Sequence, residues 1–85
     1  NNLKSNEQTQ KYKEAKNVIL KDQEFVKKNF DYVGKNFTYE ARSIHYENKK
    51  VSKGIYGTAT KKDLKELKEE GVETEIMPWI KDDMN

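Results

Sequence analysis

The chain has no cysteine. That removes a disulfide framework and any thiolate metal site, and leaves the redox compartment open. Proline occurs once, at Pro78, and glycine four times, so turn punctuation is sparse. No apolar run approaches the ~20 residues that a membrane-spanning helix needs. Apolar residues are scarce as well: the hydrophobic set is 33% of the chain against 38% charged. A chain of 85 residues has room for one core and buries only about 60–65% of its unfolded surface, so that core must be lean. The five Tyr, three Phe and one Trp are expected to carry much of it, because each buries a large area.

What is present is punctuated most clearly between Ile55 and Ile80. Thr60 fits the N-cap of a helix, its hydroxyl accepting from the backbone N–H of Lys62 or Asp63. Asp63 stands where a capping box places its reciprocal acid. Leu64 and Leu67 form a narrow apolar stripe, Lys62/Glu66 and Lys65/Glu69 are i,i+4 pairs of opposite charge, and Gly71 suits the left-handed residue that ends a helix. The spacing thus predicts a short helix over 61–70 flanked by two short strands.

Upstream, residues 1–7 read as a polar tether, followed by a single α+β domain over 8–85. From Gln8 to about Phe30 the apolar residues Tyr12, Ala15, Ile19, Val26 and Phe30 recur at helical spacing, with Val18 and Phe25 widening the stripe. Asn29 to Asn36 reads as a turn or loop. Thr38 to Tyr46, rich in Thr, Tyr and Ile, reads as a strand; Glu47-Asn48-Lys49-Lys50 as a hairpin turn; Val51 to Thr58 as the returning strand. Gly54 and Gly57 mark a bulge or a close approach in that strand. The last strand, within residues 71–80, carries Pro78 and must lie at an edge. The expected fold is a long N-terminal helix packed through Ala15, Ile19 and Val26 on a small, mostly antiparallel sheet of at least three strands, with a short second helix.

Few residues carry chemistry. His45 lies between Ile44 and Tyr46 with no acid or nucleophile placed to orient it, and reads as structural or merely surface. Asp82 and Asp83 supply too few oxygens to hold a hard cation. Gly54 and Gly57 are too few for a phosphate loop, and the companion residues of the nuclease motif that Gly-Ile-Tyr opens cannot be identified. Asn36-Phe37-Thr38 is a glycosylation sequon, but a composition heavy in Lys and Asn looks bacterial, which makes it a chance match. Trp79 reads as core. No catalytic, cofactor-binding or metal-ligating residue is assigned, no cofactor is expected, and the protein reads as a non-enzyme.

Charge is unevenly divided. Residues 1–62 hold 14 Lys and Arg against 7 Asp and Glu, a balance of +7; residues 63–85 hold 3 against 8, a balance of −5. Lys49, Lys50 and Lys53 cluster within five residues and are the candidate binding residues, facing an anionic partner.

The polar lead-in, the Lys-rich helix built on Tyr-Lys-Glu-Ala at Tyr12 to Ala15, and the Tyr/Thr-rich stretch ending Gly-Ile-Tyr-Gly at Gly57 together resemble the small lipoproteins of low-GC Gram-positive bacteria with a cystatin-like fold. The resemblance covers roughly residues 8–58. It implies export, tethering at the cell surface by a lipidated cysteine that would precede Asn1, and no catalytic residues. The expected function is therefore a non-enzymatic extracellular domain that binds a protein or an anionic envelope component, with membrane attachment only through a lipid anchor outside this chain. The rival reading is a small cytoplasmic accessory protein of a mobile element that binds nucleic acid or another protein.

Overall fold

Three helices and two very short strands make up the computed structural model, which describes residues 2–81, with side chains from residue 6 onward. The order is α1 (Asn2–Asn29), β1 (Asp31–Gly34), α2 (Phe37–Tyr46), β2 (Ile55–Gly57) and α3 (Lys61–Glu69). The class is α+β, but the sheet is a two-stranded parallel pair. The expected antiparallel, cystatin-like sheet under a long helix is thereby overturned.

The reason lies in the segment after β1. Thr38 to Tyr46, expected as a strand, is α2. Its β-branched and aromatic residues give only a weak strand preference, which tertiary contacts readily override. In strand alternation Arg42, Ile44 and Tyr46 would share one face. Helical spacing instead groups Phe37, Ala41 and Ile44, and sets Arg42 and Tyr46 together on another face. Ala41 and Ser43 are buried. A helix between two strands is also what lets them run parallel, because a tight hairpin cannot. β1, which lies in the stretch from Asn29 to Asn36 expected as a turn or loop with Gly34, is the first strand of this βαβ unit.

Register partners are Asp31 with Ile55, Tyr32 with Tyr56 and Gly34 with Gly57, Val33 being skipped as a bulge. The close approach expected at the two glycines is real. A Cβ on Gly57 would collide with the Gly34 carbonyl oxygen, and one on Gly54 would lie 2.6 Å from the Phe30 ring.

The chain divides into two units. Val26–Ile76 contains β1, α2, β2 and α3 and holds the buried apolar cluster of Ala41, Leu67 and Val72, with Phe37 and Ile55 packed against it. Here α3 follows its sequence signals closely. The Thr60 side chain accepts from the Asp63 N–H at 3.0 Å. Gly71 has φ +86°, the Gly71 N–H donates to Lys68 O at 3.1 Å, and the Val72 N–H donates to Leu67 O at 2.8 Å. This paired closure ends the helix and folds Val72 back beside Leu67, which is fully buried. The Asp63 carboxylate does not complete a capping box; it accepts from the Thr38 hydroxyl of α2 at 3.3 Å.

The other unit joins the chain up to Phe25 with the segment from Met77. Among its described residues the buried one is polar. Gln23, 2% exposed, donates from Nε2 to Ile80 O and accepts at Oε1 from the Ile80 N–H, both at 2.8 Å. One amide side chain therefore satisfies both backbone groups of Ile80, much as a neighbouring strand would. No strand forms over 71–80. Ala15 is exposed, and Ile19 and Val26 are half-buried, so the expected stripe is only partly covered. Trp79, expected in the core, is 40% exposed. The helix also starts upstream of Gln8, taking in residues 2–7. None of the described helices is long and apolar enough to cross a membrane.

Candidate binding groove

The lysine cluster is positioned by the way α2 stops. Asn48 has φ +50°, and the Lys49 N–H reaches back to Ile44 O at 3.2 Å. Asparagine tolerates the left-handed conformation better than other residues with a Cβ. The segment expected as a hairpin turn is thus a helix stop. It redirects the chain into a loop that returns to the sheet where the Asp31 N–H donates to Gly54 O at 2.9 Å.

That loop forms one wall of an open groove of about 430 Å3. Lys49, Lys50 and Lys53 come from the loop together with Val51 and Ser52. Asp31, Val33 and Ile55 come from the sheet, and Glu40 and Ile44 from α2. All three lysines predicted as binding residues therefore meet at one site. The structure adds four apolar side chains and two carboxylates that the sequence reading had not grouped with them. Lys49 pairs with Glu47 at 3.6 Å, both being well exposed. Among the described residues Lys50 and Lys53 take part in no ion pair.

A second cluster is internal to the fold. Arg42 Nε donates to Glu70 Oε1 at 3.0 Å and Arg42 Nη2 to Glu70 Oε2 at 2.8 Å, while Nη2 also reaches Glu66 Oε1 at 3.2 Å. The Tyr46 hydroxyl donates to Glu70 Oε1 at 2.9 Å. The hydrogen bonds from Arg42 and then Tyr46 hold the Glu70 carboxyl below its ordinary value. The same bond to Glu70, followed by desolvation, raises the Tyr46 phenol. The Arg42 guanidinium is stabilised in its charged form chiefly by Glu70. A planar fork meeting a carboxylate in this way fixes orientation, and here it fastens α2 to α3. With Nε and Nη2 engaged by Glu70 and Glu66, Arg42 is a structural clamp rather than part of a free basic face.

The remaining candidates stay apart. His45 is exposed at the end of α2, its ring 4.9 Å from that of Tyr46 and edge-on to it. Asn36 precedes α2 without a side-chain capping bond. Asp82 and Asp83 lie outside the described residues. Among the described residues no group of three or more His, Asp or Glu side chains is arranged to hold a metal ion.

No curated protein and no solved structure matches the chain. One family match covers almost its whole length, and it carries no assigned activity. The model of the family described as "Protein of unknown function (DUF1178)" matches residues 1–82, and the chain belongs to that family.

Proposed function

We propose that this protein is a non-enzymatic binding module whose groove between β1, α2 and the 49–53 loop takes an acidic segment of a partner protein. The supporting observation is the meeting of Lys49, Lys50 and Lys53 with Val33, Ile44, Val51 and Ile55 at one concave site. Lysines alone would favour any polyanion. The apolar lining favours a ligand with side chains to bury, and Asp31 and Glu40 oppose a uniform run of negative charge. A peptide with spaced acids and apolar residues meets all three demands; duplex nucleic acid and anionic wall polymer meet only the first.

The test is titration of the full chain with a labelled peptide in which glutamates alternate with isoleucine and valine, run beside duplex DNA and an anionic wall polymer. Peptide binding should weaken as salt rises, because at 0.15 M the screening length is about 8 Å. Lys49→Glu with Lys50→Glu should weaken it by roughly tenfold or more. Tighter binding of DNA than of the peptide would favour the nucleic-acid reading, and binding indifferent to salt and to both substitutions would reduce the lysines to a solubilising surface. Export to the cell surface belongs to the same proposal and draws on the polar composition of residues 1–10. A reading frame that opens at a Met directly before Asn1 would remove it.

A further inference from the structure

The segment after α3 carries the chemistry that the groove asks for. Val72 is buried against Leu67 and anchors the segment. From Glu73 to Lys81 the chain forms neither helix nor strand, Glu73 and Glu75 are exposed, and Ile76 is 82% exposed. Single apolar side chains on a surface are ordinary. Here, however, an isoleucine of high exposure follows two exposed acids at alternate positions. In an extended chain such spacing puts both carboxylates on one side and Thr74 and Ile76 on the other.

We propose that residues 73–76 of one copy occupy the lysine groove of a second copy. Glu73 and Glu75 meet Lys50 and Lys53, and Ile76 enters among Val33, Ile44 and Ile55. This inference rests on the groove reading above and names one occupant for it. The argument is charge and shape complementarity between two surfaces that each copy carries. Groove and segment are different patches, so the contact is head-to-tail: a bound pair still offers a free groove on one copy and a free segment on the other. Association is therefore open-ended unless the geometry closes a ring, and any outside ligand of the groove must compete with it. At low concentration the groove is free; as concentration rises, the protein occludes its own site.

The experiment is sedimentation of the full chain from micromolar to millimolar concentration, at low and moderate salt. Three variants accompany it: Lys50→Glu with Lys53→Glu, Glu73→Lys with Glu75→Lys, and the four changes combined. All the substitutions are at exposed positions, and circular dichroism verifies that each variant keeps its helix content. The wild type should show an average mass that rises with concentration and falls with salt. Each double variant should stay monomeric alone. Mixed in equal amounts they should associate again, because each segment then faces a groove of opposite charge on the other variant. The fourfold variant, with its charges exchanged, should regain self-association.

A wild type that is monomeric at every concentration overturns the inference. So does association that survives Glu73→Lys with Glu75→Lys, because the occupant would then be another segment. In either case binding of the alternating Glu/Ile peptide at the groove leaves the proposed function standing. Absence of that binding as well removes both.

Discussion

Leu67→Ala is the sharpest test of the fold, because Leu67 is fully buried and sits at the centre of a small apolar cluster. The substitution removes three carbons, a transfer loss of about 2.4 kcal/mol at roughly 0.8 kcal/mol each. A residual cavity adds to that loss to the extent that the neighbours do not close it. Phe37 and Ile55 are only half-buried and can shift inward, which limits the addition, so the expected loss is about 2.5–4 kcal/mol. For 85 residues the whole stability is of the order of 4–13 kcal/mol, so one side chain accounts for a large share of it. The assay is urea unfolding followed by far-UV circular dichroism. With a slope near 1 kcal/mol/M, the midpoint should fall by roughly 2.5 M or more, or vanish altogether. Val18→Ala, at a site 59% exposed, is the control and should stay within about 0.5 kcal/mol. Equal small losses in both variants would refute the packing of Leu67 among Ala41, Phe37, Ile55 and Val72.

Three further outcomes are expected. Thr60→Ala should cost about 1 kcal/mol by removing the acceptor for the Asp63 N–H, measured by the same unfolding curve. Gly57→Ala should cost roughly 1–3 kcal/mol, because its Cβ meets the Gly34 carbonyl oxygen across the two strands, while Gly71→Ala finds open space and pays only the left-handed backbone cost of about 1–2 kcal/mol. Stability against pH should show two limbs. Glu70 is lowered from 4.5, so its contribution is present above that value and is lost as pH falls through the folded value; Tyr46 is raised from 10.0, so its contribution is present below that value and is lost as pH rises through the folded one. Glu70→Gln should flatten the acid limb and Tyr46→Phe the alkaline one, and unchanged limbs in both variants would count against the clamp.

Local signals were legible and long-range ones were not. The N-cap at Thr60 and the stop at Gly71 could be read because their hydrogen-bond partners lie within five residues. The existence of α1 was legible because its apolar period repeats over about five turns from Tyr12 to Phe30; the close approach at Gly54 and Gly57 was legible from glycine itself, although its partners Phe30 and Gly34 lie more than twenty residues away. The strand expected at 38–46 failed because propensity differs little between helix and strand for Thr, Tyr and Ile, whereas the burial of Ala41 and the Arg42 clamp depend on α3, well over a dozen residues downstream. β1 was missed for the opposite reason. Asp31 and Gly34 carry turn chemistry, and only a parallel partner more than twenty residues away makes them a strand. Gln23 gave no sign of its role, since a buried glutamine on a lysine-rich helix is intelligible only once Ile80 is beside it.

The candidate site divides along the same line. Its lysines fall within five residues and were visible as a cluster. Its carboxylates and, Val51 apart, its apolar side chains come from β1, α2 and β2, elements whose types had to be right before they could be grouped. The charge division into +7 and −5 pointed to a basic face with acid to spare elsewhere. Within Val26–Ile76 part of that difference is already cancelled, because Arg42 is held by Glu70 and Glu66, separated from it by 28 and 24 residues. The basic groups left at the groove are three lysines, one of them paired with Glu47, facing Asp31 and Glu40. So small an excess cannot hold a ligand by charge alone at physiological screening. Selectivity must then come from the apolar side chains between the charges. An acidic segment with hydrophobic residues therefore suits the groove better than a plain polyanion, and Ile76, rather than Glu73 or Glu75, is the residue whose truncation should most reduce occupancy of the groove without changing its salt dependence.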